Sequence, residues 1–337
     1  MGKTANSERR RRALVIALDL GGTKLASALV TSEGRVWKAW SAPTDVSSGR
    51  ACLDQLLAAA RRAWRMAGDR AAAIGVSIPG LVRRDGTVWA PNIPGWVRAP
   101  VGRRLREATG LPAAVESDRN ASVLGEVWRG AARGAADAIY LIVGTGIGAG
   151  ILSGGRLLRG AHELCGCAGW MVFDAEGRCR SLEQLAAGPA VGAAGALALK
   201  KPNLTARQVL AAARRGDRAA RDVVQRAASL LGLAVANLIS LFDPEVIVLG
   251  GGLGSSGKAL LAPLRRTALK WAQPLSARQV RITASRLGAR APLLGVARLA
   301  WEELRISDCG LRNGDGKRGI RNPKSAIRPN GSHIDEW

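Results

Sequence analysis

The chain has 337 residues, more than one hydrophobic core usually supports, and 47% of them are apolar, so two domains are expected. The formal net charge of +24, from 50 Lys and Arg against 26 Asp and Glu, raises the question of nucleic acid. Much of that excess is arginine spread over helix faces, as at Arg61, Arg62 and Arg65 or Arg214, Arg215 and Arg218, where solvated charge is the usual meaning, so nucleic acid is not expected as a partner.

Residues 1–12 are basic and read as a disordered terminus. The apolar run behind them, 13–18, is too short for a secretory segment, so no export is implied and a cytoplasmic location is expected. Five cysteines, Cys52, Cys165, Cys167, Cys179 and Cys309, are an odd count and are expected as reduced thiols.

The first predicted strand, 13–18, runs into Asp19-Leu20-Gly21-Gly22-Thr23-Lys24. Paired glycines let the backbone turn sharply and bring its N–H groups against phosphate oxygens, Thr23 and Lys24 add a hydroxyl and a charge, and Asp19 sits where a nucleotide's magnesium can be held. Strands over 26–31 and 35–40 follow, with Glu33-Gly34 at the turn between them. Leu53, Leu56, Leu57, Ala60 and Trp64 recur at steps of three and four, the core face of a helix. A strand over 73–78, a loop to about residue 100 and a short strand over 113–116 complete a smaller lobe, 13–117.

A helix beginning at Asp118 opens a larger lobe, 118–290, and its N-terminal N–H groups and dipole favour the charged form of that side chain. Alone, Asp118 would be an ordinary helix cap. Strands over 138–143 and 148–153 flank Val143-Gly144-Thr145-Gly146-Ile147-Gly148-Ala149-Gly150, which alone would be a glycine-rich hairpin. Helices are expected over 205–214 and 217–240. The uncharged run 227–242 contains Ser229, Asn237 and Ser240 and falls short of the about 18 apolar residues of a membrane span, so it is expected to be buried and no membrane is involved. A strand over 246–249 then meets Gly250-Gly251-Gly252, a last helix over about 291–305 returns to the smaller lobe, and the basic tail 308–337 reads as disordered.

Three strand-to-glycine junctions indicate a nucleotide held between two halves of similar build. Neither the GxxxxGK[ST] loop nor a full GxGxxG fingerprint is present, which disfavours those folds. No long-range repeat is evident, so any duplication is one of shape. His162, Cys165, Cys167 and Cys179 make a formal Cys3His set, but C-x-C followed by one cysteine twelve residues on is not a standard zinc spacing.

Together with Ile74-Gly75-Val76-Ser77-Ile78-Pro79-Gly80, Ala90-Pro91-Asn92-Ile93-Pro94-Gly95-Trp96 and Glu116-Ser117-Asp118-Arg119-Asn120-Ala121, these strings resemble the ROK family of repressors, open reading frames and sugar kinases, over roughly residues 13–305. The resemblance implies an α/β, two-lobed, actin-like, hexokinase-type ATPase fold with ribonuclease H-like lobes around an interdomain cleft. It implies ATP and Mg2+, a small-molecule sugar and a homodimer. Asp118 takes the role of general base, with Asn92, Asn120 and Glu183 around the sugar. Asp19, Gly21, Gly22, Thr23, Lys24, Gly144, Thr145, Gly146, Gly251 and Gly252 lie around the phosphates.

Family repressors carry a helix-turn-helix domain before the first string; only eighteen residues precede Asp19, so none is expected here. Ser117 stands where the pattern usually has Asn. In sugar-phosphorylating members the stretch after residue 160 ends Gly-Glu-x-Gly-His, so Cys167 and Trp170 replace a glutamate and a histidine that contact the sugar. That histidine also ligates a structural zinc with a CxCGxxGC loop, here cut to Gly177-Arg178-Cys179-Arg180-Ser181, so no structural zinc is expected. Two classes of function stay open: an ATP-dependent, glucokinase-like hexose kinase, with polyphosphate as a variant donor, and a catalytically weak sugar or nucleotide sensor.

Overall fold

The computed structural model describes residues 13–308 apart from 176, 255 and 256; the basic stretch 1–12 and the tail 309–337, with Cys309, lie outside the described residues. Strand β1 (Leu14–Leu20) is buried on both faces, which is why it reads as a nearly unbroken apolar run. It forms an antiparallel meander with β2 (Lys24–Val30) and β3 (Val36–Pro43). Helix α1 (Gly49–Ala67) starts where the Ser48 hydroxyl accepts the Ala51 N–H at 3.1 Å, and it crosses to β4 (Ala71–Ile78), parallel to β1. A short hairpin, β5 (Leu81–Val82) and β6 (Val88–Trp89), and helix α2 (Val101–Thr109) then lead to β7 (Ala113–Ser117), parallel to β4. The sheet order is β3-β2-β1-β4-β7.

Two differences from the sequence reading arise here. Trp64, read as part of the α1 core stripe, is 41% exposed, and Ala63 takes the inner place. Helix α2 occupies a segment in which no element was expected, because only Val101 and Leu105, four residues apart among arginines, carry its buried apolar side.

Helix α3 (Asp118–Arg129) precedes the second sheet, built from β8 (Ala138–Val143), β9 (Ile147–Ser153) and β10 (Arg156–Leu157). A hairpin of β11 (Val172–Ala175) and β12 (Arg178–Ser181) is followed by α4 (Leu182–Ala186), α5 (Gly188–Leu199), α6 (Ala206–Arg214) and α7 (Arg218–Phe242). Strand β13 (Val246–Gly250) enters the sheet beside β8, then α8 (Gly251–Gly254), α9 (Lys258–Trp271), α10 (Pro274–Gln279), β14 (Arg281–Ala284) and α11 (Ala291–Asp308) complete the order. Among the described residues α7 is the one helix long and apolar enough to cross a membrane, yet its Leu231, Val235, Leu238 and Ile239 are buried with Leu264 of α9, the environment of a core helix.

The second sheet has the order β10-β9-β8-β13-β14, with two antiparallel pairings followed by two parallel ones, as in the first. The duplication is in shape, and in each sheet a glycine string joins the central strand to its antiparallel neighbour. Helices α3 and α11 lie between the sheets: α3 packs Val123, Leu124 and Val127 against Tyr140 and Val248, and α11 packs Leu293, Val296 and Ala297 against Val15 and Ala17. The two helices meet backbone to backbone, for a Cβ on Gly125 would collide with the Ala291 carbonyl oxygen and one on Gly295 with that of Ala121.

Candidate active site

The parallel strands of the first sheet end in register. Asp19 lies opposite Ser77, Ser77 opposite Glu116, and Ile78 opposite Ser117, so Asp19 and the start of α3 stand together at the carboxyl ends of the strands, where open α/β sheets bind ligands. Burial pushes the Asp19 carboxyl up from 3.8 to about 7; the Ser77 hydroxyl and Lys24 oppose the shift and the Asp118 charge adds to it. Asp118, the first residue of α3, is also pushed above the ordinary carboxylate range by burial, against the Arg119 N–H that it accepts at 2.7 Å and the Arg119 charge.

Each glycine turn is braced by the residues around it. Gly21 N–H donates to the Lys24 carbonyl at 2.9 Å and its own carbonyl accepts the Thr44 hydroxyl at 2.7 Å, leaving Gly22, Thr23 and Lys24 exposed. Gly144 N–H donates to Gly146 at 2.9 Å and its carbonyl accepts Gly188 N–H from the start of α5 at 2.7 Å, with Thr145 exposed at the tip. Gly251, at φ 78, turns the chain against the Val143 carbonyl where any Cβ would collide, so the string that continues to Gly252 abuts the second one.

The residues assigned to the sugar fall into two groups. Asn120 is buried, gives its Nδ2 to Glu116 Oε1 at 3.0 Å, and keeps its Oδ1 without a hydrogen-bond partner. Glu183 accepts Ile147 N–H at 2.8 Å beside Gly146 and Gly169, which ties the second glycine turn to the segment 165–170. Asn92 is exposed on the loop after β6, Cys167 is half-buried, and Trp170 is 80% exposed.

Sequence reasoning gave no role to three charged residues here. Glu116 is buried, accepts Ser117 N–H at 2.8 Å and the Asn120 amide through Oε1, and meets Arg159 Nη2 through Oε2 at 2.5 Å. Arg119 keeps buried Nε and Nη2 without hydrogen-bond partners, the parallel edge of a guanidinium that matches two oxygens of an anion. A charged residue inside the buried strand 113–117 was the available signal for Glu116; Arg119 and Arg159 had none.

Among the described residues no three His, Cys, Asp or Glu side chains group as a metal site. Burial pushes the Cys165 thiol up, which disfavours the thiolate that zinc needs. With Trp170 and Ser181 at two positions where the family pattern has zinc ligands, purified protein is expected to carry no stoichiometric zinc. Elemental analysis finding one zinc per chain would overturn this and point to His162, Cys165, Cys167 and Cys179.

Two open sheets of one topology, with glycine turns at the strand ends of both and carboxylates at those of the first, define a two-lobed ATPase fold of the hexokinase type. The chain belongs to the ROK family, whose profile matches residues 15–303. A glucokinase of Thermotoga maritima is 31% identical over 312 residues, covering 86% of this chain and 98% of the relative. Among solved structures, a ROK hexokinase from Thermus thermophilus is 38% identical with a TM-score of 0.75, over 87% of this chain and 99% of that one. A ROK family glucokinase from Streptomyces griseus, in complex with glucose and AMPPNP, is 31% identical with a TM-score of 0.74, over 86% and 100%.

Proposed function

We propose that the protein is an ATP-dependent hexose kinase of the glucokinase-like kind. A sugar hydroxyl oxygen attacks the γ-phosphorus of ATP, the bond from that phosphorus to the β,γ-bridging oxygen breaks, ADP leaves, and Asp118 accepts the hydroxyl proton. The observation that carries this reading is the pair of half-buried carboxyls, Asp19 and Asp118, which desolvation pushes above the ordinary carboxylate range at the strand ends beside braced glycine turns. An upward shift brings Asp118 closer to the pKa at which a carboxylate is an effective base.

Asp19 fits a divalent cation such as Mg2+, because a desolvated carboxylate with the Asp118 charge nearby and Lys24 as the opposing cation would be relieved by a cation. The bound ion supplies neutralisation of the charge on the nucleotide phosphates. Thr23, Lys24 and Thr145, with the backbone of Gly22, Gly146 and Gly252, hold those phosphates on turns that Gly21, Gly144 and Gly251 shape. Asn120 Oδ1 accepts a sugar hydroxyl, and Asn92 and Glu183 close around the ring. Residues 13–117 with α11 form one lobe and 118–290 the other, and a cytoplasmic homodimer suits an enzyme supplied with ATP.

Purified protein with ATP, magnesium and a panel of hexoses, read by coupled ADP release, tests this reading. Turnover with a hexose supports it. Nucleotide and sugar binding without turnover instead supports the sensor, the reading favoured by Cys167 and Trp170, and turnover with polyphosphate alone identifies that donor.

Cys167 and Trp170 set the sugar. A thiol is a weak donor and an indole offers one N–H, so hydroxyls at the anomeric end lose partners at roughly 1–3 kcal/mol each. Plain glucose is expected to saturate poorly, and the double change Cys167→Glu, Trp170→His to improve its apparent affinity about tenfold to a hundredfold. The exposure of Trp170 leaves the fold room for the change. Submillimolar glucose saturation of the parent, or no gain in the folded double variant, would remove these positions from specificity.

A further inference from the structure

A cleft of about 320 Å³ opens at the free edge of β7, between Val82, Arg83, Arg84 and Arg106 on one side and Arg159 and Glu163 of the second lobe on the other. Four guanidinium groups face one carboxylate there. Arg84 Nε meets Glu163 Oε1 at 2.9 Å, and Arg159 meets Glu116 at 2.5 Å and Glu163 at 3.7 Å. Arg83 and Arg106 rest only on neutral carbonyls, those of Val97 at 2.8 Å and Ala113 at 3.3 Å, and neither pairs with a carboxylate among the described residues. Their charges are uncompensated. Glu163 sits at φ 61, in the left-handed region that a side chain other than Gly or Asn enters at a cost, and that conformation holds its carboxylate between Arg84 and Arg159. Gly102, in the first turn of α2, also lines the wall; that helix has no side-chain cap and no acidic residue there, so its dipole adds to the positive field.

We infer that this cleft is a second ligand site, which takes a phosphate monoester of monosaccharide size. Guanidinium forks match phosphate oxygens, Val82 and Val115 give a small carbon skeleton an apolar wall, and the volume lies at the lower end of small-molecule sites. Occupancy reports to Asp118 through Arg159. That side chain reaches Glu163 at the cleft on one side and Glu116 on the other, and Glu116 holds Ser117 N–H and the Asn120 amide beside Asp118. A dianion in the cleft competes with Glu116 for Arg159, loosens that support and lowers turnover. This regulatory half rests on the kinase reading; the binding half does not.

Calorimetric titration of the full chain with glucose 6-phosphate and, separately, with inorganic phosphate tests the site. Both are expected to bind, and the double variant Arg83→Gln, Arg106→Gln to weaken binding at least tenfold, with its basal turnover unchanged and inhibition by the probes lost. Arg106→Gln alone, at an exposed position, gives the same direction if the double variant folds poorly. Tighter binding of the sugar phosphate supports the assignment, and equal or tighter binding of free phosphate overturns it. No saturable binding, binding indifferent to both variants, or inhibition purely competitive with the sugar overturns it. If the protein proves inactive, the calorimetric comparison of parent and variants still decides.

Discussion

Asp118→Asn is expected to lower turnover by roughly a hundredfold or more, the usual contribution of a positioned general base, while the melting temperature stays level or rises. An amide keeps the size of the side chain and the oxygen that accepts Arg119 N–H, so the start of α3 is not disturbed. It cannot take the sugar proton. It also removes a carboxylate that burial holds above its ordinary range, so the change relieves a cost of folding and adds none of comparable size. Activity assay and thermal unfolding of one preparation separate the two effects. Turnover within a few fold of the parent would remove Asp118 from the base role, and loss of both activity and cooperative unfolding would make it a structural residue.

What the sequence made legible was the part of the site governed by local backbone chemistry. A strand that must turn sharply at its end needs an apolar run followed by adjacent small residues, and 14–22, 138–146 and 246–252 carry that pattern in their letters. The match between the two sheets is not in the letters, because strand order and sense are fixed by pairings between residues far apart in the chain. Glu116 and Arg159 illustrate the same limit: they stand forty-three positions apart and only the closing of the β7 edge against the second lobe joins them. Helix α5 was missed for another reason. Its sequence GPAVGAAGALAL is apolar all round and shows no period, since Gly192 and Gly195 are pressed against Leu204 and Val209 where larger side chains would not fit.

Asp19→Asn is expected to produce a more stable protein that no longer works. In the metal-free native state the Asp19 carboxyl titrates at about 7 against an ordinary 3.8, so between those values the folded protein holds a proton that the unfolded chain has released. The parent therefore loses stability as pH rises from about 4 to about 7, and the loss is complete above 7. At about 1.4 kcal/mol per pH unit the penalty is on the order of 4 kcal/mol at pH 8. The variant carries no such penalty. With a chelator present, its melting temperature should exceed the parent's by several degrees at pH 8, with the gap closing toward pH 4. Magnesium with nucleotide should then raise the parent's melting temperature and leave the variant's nearly unchanged, because the anion that would hold the cation is gone. Turnover of the variant should fall about a hundredfold or more. Parallel pH profiles for the two proteins would show that Asp19 is not a buried, strained carboxyl, and full activity in the variant would show that it does not hold the metal.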